Sequence, residues 1–295
     1  VADALGAVWG ADGTLVVAQN YQPGGIKVFD AKSLALLADV PALVDGKASR
    51  VVGLADIPRN RFIYALFDAG QIWIADLADP TKPVITKFEH IGKQPYDALV
   101  TPDGRHYIAG LFGEDGLAKI DLWAAEPKVE RILPGYGRGE QALPVFKMPH
   151  LRGWAIAGRQ AYLPAIGRRE VLVVDTDSWQ EVGRVPVAGQ PVFVMARPDG
   201  RQVWGNFAVP DYHRVQVIDT HRQQIVQTIE PRVLYAYTPF VDQSNYPIFD
   251  SAPKDFNFES IFTENAFSGV DRVSDGNQLT AGLTTRIIDP ANGAE

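Results

Sequence analysis

The chain has 295 residues, 46% hydrophobic and 21% charged, an ordinary globular balance with room for a sizeable core. A net charge of −7 argues against a nucleic-acid-binding surface, which needs clustered Lys and Arg. The absence of cysteine excludes disulfides, Cys-ligated zinc, iron–sulfur clusters and thiol catalysis together, and weakly suits an oxidising compartment.

The first residue is Val1, not Met, and no signal peptide is present, so the chain reads as processed, trimmed or fragmentary at its start. From there a two-part pattern recurs. Asp12-Gly13 is a hairpin turn, because Asp-Gly tolerates positive φ, and it leads into the apolar strand Leu15-Val-Val-Ala18. The loop Asn20-Tyr-Gln-Pro-Gly-Gly25 then leads into Ile26-Lys-Val-Phe-Asp30. Tyr21 could stack on a flat ligand and the glycines would permit close approach, although a plain hairpin loop accounts for them almost as well. Arg50 immediately precedes a strand; it is either a solvated strand-end residue or a bidentate partner for a carboxylate.

Arg59-Asn60 takes the turn phase in the second unit, before Phe62-Ile-Tyr-Ala65 and Ile72-Trp-Ile-Ala-Asp76. Gln94-Pro-Tyr-Asp97 opens the third unit. The equivalent position in Gln190-Pro-Val-Phe193 is apolar, so a carboxylate at Asp97 is unexpected. It reads equally as a buried acid with a role or as a turn residue bonding its own loop. Tyr96, Phe112 and Tyr136 offer further flat faces, as aromatics filling blade cores also would. Asp103-Gly104, His106-Tyr-Ile-Ala109 and Leu117-Ala-Lys-Ile-Asp121 continue the series. A surplus of residues follows, around Gly135–Gly139 and Lys147-Met-Pro-His150. His150 could ligate iron or move protons near neutral pH, or be an ordinary surface-loop histidine. Leu172-Val-Val-Asp175, Asp199-Gly200, Gln202-Val-Trp204 and Val215-Gln-Val-Ile-Asp219 complete five units.

The strand-ending aspartates at 30, 76, 121, 175 and 219 step by 46, 45, 54 and 44 residues, a blade-sized period. With regular turns and no long helical periodicity, the fold class is all-β, a β-propeller of which five units are present. No Ser-His-Asp arrangement, HExxH, phosphate-binding glycine loop or EF-hand spacing occurs.

Several long motifs carry a resemblance to a known family. They are Val16–Asp30, Ser49-Arg-Val-Val-Gly-Leu54, Gly92-Lys-Gln-Pro-Tyr-Asp-Ala-Leu99, the stretch Tyr107–Gly116, Lys147-Met-Pro-His150 and Val187–Val194. Residues 1–230 resemble the NirF family of haem d1 biosynthesis, which groups with NirN and the d1 domain of cytochrome cd1 nitrite reductase. The resemblance implies an eight-bladed propeller, periplasmic, holding haem d1 or dihydro-haem d1 on one face. It implies that Arg50 pairs with tetrapyrrole carboxylates and that Asp97 and His150 are pocket residues with a catalytic part. Asn20, Tyr21, Tyr96, Phe112 and Lys147 are the ligand-binding candidates beside them. No metal ligand is assigned; the resemblance places the proximal iron histidine in a further N-terminal region. NirN and cytochrome cd1 nitrite reductase are the implied protein partners.

Composition changes at about residue 230. Residues 231–295 carry 4 basic and 9 acidic residues, while all 6 Trp lie before them. Leu279, Ala281, Leu283, Thr285 and Ile287 alternate with polar or small residues, as do Val233, Tyr235 and Tyr237, which is the dyad pattern of barrel strands. This segment, through Glu230–Pro239, Phe267–Arg272 and Asp275–Arg286, resembles the LptD family of outer-membrane barrels. A join near Thr228–Arg232 between two unrelated pieces is the expectation, with membrane contact only if the tail belongs to a barrel.

Overall fold

The computed structural model describes residues 3–136 and 153–289, with side chains from residue 6 onward. Five blade-like antiparallel sheets follow one another. Blade one is β1 (Asp3–Trp9), β2 (Leu15–Gln22), β3 (Ile26–Asp30) and β4 (Leu36–Val40). A small hairpin, β5 (Leu43–Val44) with β6 (Lys47–Ala48), occupies the connection to blade two, which is β7 (Val51–Ile57), β8 (Arg61–Leu66), β9 (Gln71–Asp76) and β10 (Val84–Phe88). Blade three is β11 (Pro95–Val100), β12 (His106–Leu111), β13 (Leu117–Asp121) and β14 (Val129–Ile132). Blade four is β15 (Ala155–Ala157), β16 (Gln160–Ala165), β17 (Glu170–Asp175) and β18 (Glu181–Pro186). Blade five is β19 (Pro191–Ala196), β20 (Gln202–Phe207), β21 (Val215–Asp219) and β22 (Gln224–Thr238), to which β23 (Gly276–Ile287) adds a fifth strand.

The repeated aspartate ends the third strand of every blade, and its carboxylate explains the repeat. Asp30 Oδ1 accepts from the backbone N–H of Lys32 and Ser33, at 3.1 and 2.7 Å. Asp76, Asp121, Asp175 and Asp219 accept in the same way from Ala78, Trp123, Ser178 and Arg222. Each carboxylate thus closes the turn into the fourth strand. The first turn of a blade uses the same device, with Asp12, Asp103 and Asp199 accepting from Thr14, Arg105 and Arg201. Blade four makes that turn at Gly158, with φ +60°, without an Asp-Gly pair.

The core lies between blades rather than inside one. Val17 and Val28 of blade one meet Phe62, Tyr64 and Leu66 of blade two. On the opposite face of blade two, Ile63, Ala65 and Ile72 meet Tyr107, Ala109 and Ile120 of blade three. A strand sandwiched on both faces must be apolar throughout, which is why 62–66 shows no alternation. Blades three and four, and four and five, share equivalent clusters. The outer faces differ. The cross-strand row Trp9, Val16, Phe29 and Leu36 of blade one is fully or partly exposed, as is the Met195–Trp204 pair of blade five.

One polar contact crosses the blade two–three core. The buried Tyr107 hydroxyl donates to the carbonyl of Gly53 at 2.8 Å. Tyr107→Phe is expected to cost about 1 kcal/mol, because a buried carbonyl loses its donor while the ring still packs. A denaturant midpoint unchanged from wild type would contradict that.

The tail is continuous in backbone with blade five. The strand β22 runs unbroken from Gln224 to Thr238, so the backbone does not interrupt at 228–232. It pairs with β23 over Gln227↔Ile287 to Thr238↔Gly276. The alternation read from the sequence is the ribbon's two faces: Val233, Tyr235, Tyr237, Leu279, Leu283 and Ile287 point to solvent, and Gly282 lies against Phe258 and Phe262 on the other face. Among the described residues β23 has no second partner, so the ribbon does not close into a barrel.

Candidate functional site

The Asp-capped turns all lie at one end of the strands. The other connections lie at the opposite end, and they gather the residues singled out in the sequence. Tyr21 ends β2, Arg50 precedes β7, Tyr96 and Asp97 start β11, and Phe112 follows β12. The connection from β14 to β15 leaves from this same face. Lys147 and His150 belong to it and lie outside the described residues.

Arg50 is the centre of the cluster. Its Nε donates to Asp68 Oδ1 and Oδ2 at 3.1 and 3.0 Å, its Nη2 pairs with Oδ1, and its backbone N–H donates to Oδ2 at 2.9 Å. Its Nη1 donates to the Tyr21 hydroxyl at 3.0 Å. The guanidinium lies 4.2 Å from the Phe67 ring centroid and 5.3 Å from that of Tyr21, within cation–π range. The Asp68 carboxylate holds the guanidinium pKa above its ordinary value, and the guanidinium holds Asp68 below the usual carboxylate range.

Around the cation stands an aromatic frame. Phe67 meets Tyr96 edge-on at 5.8 Å and Phe112 at 6.0 Å, and Tyr96 meets Phe112 at 6.3 Å. Tyr21, Tyr96 and Phe112 are only partly covered, while Phe67 is buried beneath them. Burial pushes the Tyr96 phenol up, the Asp97 carboxylate adds to the shift, and Arg50 opposes it.

Asp97 lies in a β-bulge of β11, between the paired residues Pro95 and Ala98. Its Oδ1 accepts from the N–H of Ala98 at 2.9 Å. The same bulge recurs between Pro191 and Val194 and places Phe193 at the matching position. Bulges re-aim side chains next to binding sites. The turn reading of Asp97 is what the geometry shows: it bonds its own turn, it is half-buried rather than buried, and its charge reaches Tyr96 and the buried Tyr136. Asn20 is buried at the end of β2, where its N–H donates to the Gly25 carbonyl at 2.9 Å and closes the loop that carries Tyr21.

The structure thus brings Tyr21, Arg50, Tyr96 and Phe112 together, with Asp97 within electrostatic reach. Sequence reasoning missed Phe67, Asp68 and Ser49. Phe67 had a signal: Leu66-Phe67 and Leu111-Phe112 are one repeat apart, so Phe67 is the blade-two counterpart of Phe112. Asp68 resembled any turn aspartate before Gly70. Ser49 is buried, and its Oγ accepts from the N–H of Asp68 and of Ala69 at 3.1 and 3.2 Å, tying the turn to Arg50.

Blades packed face to face define a protein of the β-propeller class, and the cation in an aromatic frame at one end is its candidate ligand site. The model of the family described as Cytochrome D1 heme domain matches residues 2–246, and the chain belongs to that family. NirF of Stutzerimonas stutzeri is 61% identical over 219 residues, 73% of this chain and 56% of NirF. The chain therefore spans little more than half of that relative's length. The solved structure of the dihydro-haem d1 dehydrogenase NirN in complex with DHE superposes with a TM-score of 0.64 at 23% identity, over 80% of this chain and 50% of NirN. At that identity the likeness shows the fold. The tail has different relatives: the family described as LPS transport system D matches residues 212–295. LptD of Paracidovorax citrulli is 58% identical over 59 residues, 20% of this chain and 7% of that protein. No helix among the described residues is long and apolar enough to cross a membrane, which says nothing of β-barrel strands.

Proposed function

We propose that residues 1–230 bind a late tetrapyrrole intermediate of haem d1 formation, haem d1 or dihydro-haem d1, on the face that carries Arg50, and that they do so in the periplasm. The observation that carries this reading is the Arg50 guanidinium held among Tyr21, Phe67, Tyr96 and Phe112. A flat macrocycle with peripheral carboxylates asks for two things, aromatic faces and a planar cation, and the cluster offers both. Tyr21, Tyr96 and Phe112 would flank the ring, and Arg50 would take a carboxylate. When bound, the tetrapyrrole supplies the conjugated system and its iron; this chain supplies binding, orientation and a proton site at Asp97. Lys147 and His150 join the proposal through the connection that begins and ends at this face. The proximal iron ligand is assigned to none of the described residues.

The test is a visible-absorbance titration of the 295-residue chain with haem d1 and its dihydro form, with haem b as control. A saturable change selective for the d1 forms is expected; equal response to haem b would sink the reading. Asp97→Asn then separates a catalyst from a carrier that hands its ligand to NirN or to cytochrome cd1 nitrite reductase. Affinity is expected to stay within about threefold, while any turnover falls about a hundredfold, the usual range for a lost proton-transfer group. Unchanged turnover would leave a carrier.

The tail supports a second reading for residues 231–295, a fragment of an outer-membrane assembly barrel. The exposed dyad face of Val233, Tyr235, Leu279 and Leu283 favours it. A full-length chain that stays monodisperse without detergent would count against it.

A further inference from the structure

The geometry assigns to Asp68 a role that no comparison gives it: it is the positioning residue that turns Arg50 into a carboxylate clamp. The inference rests on the proposed tetrapyrrole site and deepens it.

A guanidinium has five N–H donors in a fixed fork. Asp68 engages Arg50 from the side, through Nε and Nη2, and Tyr21 takes one donor of Nη1. That leaves one N–H on Nη1 and one on Nη2, and with Tyr21 on the outer N–H of Nη1 these two form the end of the fork. A second carboxylate can be received there end-on while the first stays bound at the side. Without Asp68, the side-on edge would itself be a docking edge, and the side chain would have several orientations to choose from.

Asp68 is an exposed side chain, yet its carboxylate and the turn that carries it are both tied to the Arg50 segment. Its own oxygen caps the Arg50 backbone N–H, while the Phe67 N–H donates back to the Arg50 carbonyl at 2.9 Å. Ser49 Oγ receives the Asp68 and Ala69 N–H groups. The 49–50 and 67–69 segments are therefore locked to each other before any ligand arrives, and Phe67 underlies the guanidinium plane. This preorganisation limits ligand-induced ordering to the ligand itself. Asp68 also neutralises Arg50 beforehand, so the clamp chooses by shape and hydrogen bonding rather than by bare charge. A porphyrin whose carboxylates are esterified would be rejected chiefly at this point.

The test is a double-mutant cycle, Asp68→Asn, Arg50→Lys and both together, read by haem d1 titration, with circular dichroism to confirm the β fold. Asp68→Asn keeps the shape and one acceptor while removing the charge, and is expected to weaken binding about tenfold. The double variant is expected to bind no more weakly than Arg50→Lys alone, because Asp68 acts through Arg50. Additive losses, or tighter binding by Asp68→Asn, would overturn the inference: the first would give Asp68 an independent role, the second would make it a competitor of the ligand. Asp68→Glu is expected to recover part of the loss, since its longer chain still offers a carboxylate to the side-on edge. If wild type itself gives no saturable change, the tetrapyrrole reading fails; if wild type binds and Asp68→Asn equals it, only the positioning role fails.

Discussion

Arg50→Ala is expected to weaken haem d1 binding by about tenfold to a hundredfold, the range for losing a charge-assisted hydrogen-bond pair. The guanidinium provides the cation of the face, and it also forms part of the aromatic frame through Phe67 and Tyr21. Removing it takes away the carboxylate partner and opens a gap beside Phe67. Stability should change less, by about 1 kcal/mol or under, because the pair with Asp68 is partly open to water. The pH dependence gives the signature. Asp68 is depressed in the folded protein by Arg50, so its contribution is present above the ordinary carboxylate range and is lost as pH falls through the depressed value. In Arg50→Ala that cause disappears, and the acid limb of the stability curve loses this component while stability between pH 6 and 8 stays nearly level. The check is affinity by titration together with the denaturant midpoint at several pH values. A variant that binds like wild type would remove Arg50 from the site.

The sequence made the propeller legible because the repeat markers are structural. An aspartate ending the third strand caps a turn whichever side chains surround it, so it survives blade after blade. The unbroken apolar run Phe62–Leu66 likewise followed from burial on two faces. Tyr21, Tyr96 and Phe112 could be named as candidates because they offer flat faces near strand ends, and Arg50 because the family resemblance implies a carboxylate partner there. Their common partner could not. Asp68 meets Arg50 only because the β8–β9 turn folds against the start of β7, a long-range contact that leaves no local pattern. The stretch near residue 230 shows the opposite limit: composition changes there, yet β22 runs straight through it, since backbone pairing with β21 and β23 does not depend on side-chain composition.

The loop carrying Tyr21 makes the strongest claim on stability. In Gly24→Ala, the added Cβ would stand 1.9 Å from the Ser49 carbonyl oxygen and 2.8 Å from its carbon, at a φ of +99° that L residues rarely adopt. Both atoms are backbone, so neither can rotate away; the loop or the 49–50 segment has to shift. Steric strain and the unfavourable φ together are expected to cost about 3 kcal/mol, each being worth roughly 1–3. Gly46→Ala is the matched control. It has φ +76° and nothing within 4 Å of its Cβ, so it carries only the conformational part, about 1 kcal/mol. The two variants lie on the same face, in consecutive connections, and differ in what the methyl group meets. Because Ser49 holds the Asp68 turn and Arg50 follows it directly, Gly24→Ala is also expected to lose haem d1 affinity, whereas Gly46→Ala should bind as wild type does. Equal midpoints for the two variants would show that the 22–25 loop is not wedged against Ser49. Unequal midpoints with equal affinities would show that the wedge stabilises the fold without setting Arg50. A drop in both midpoint and affinity, confined to Gly24→Ala, would tie the clamp to the packing of this one loop.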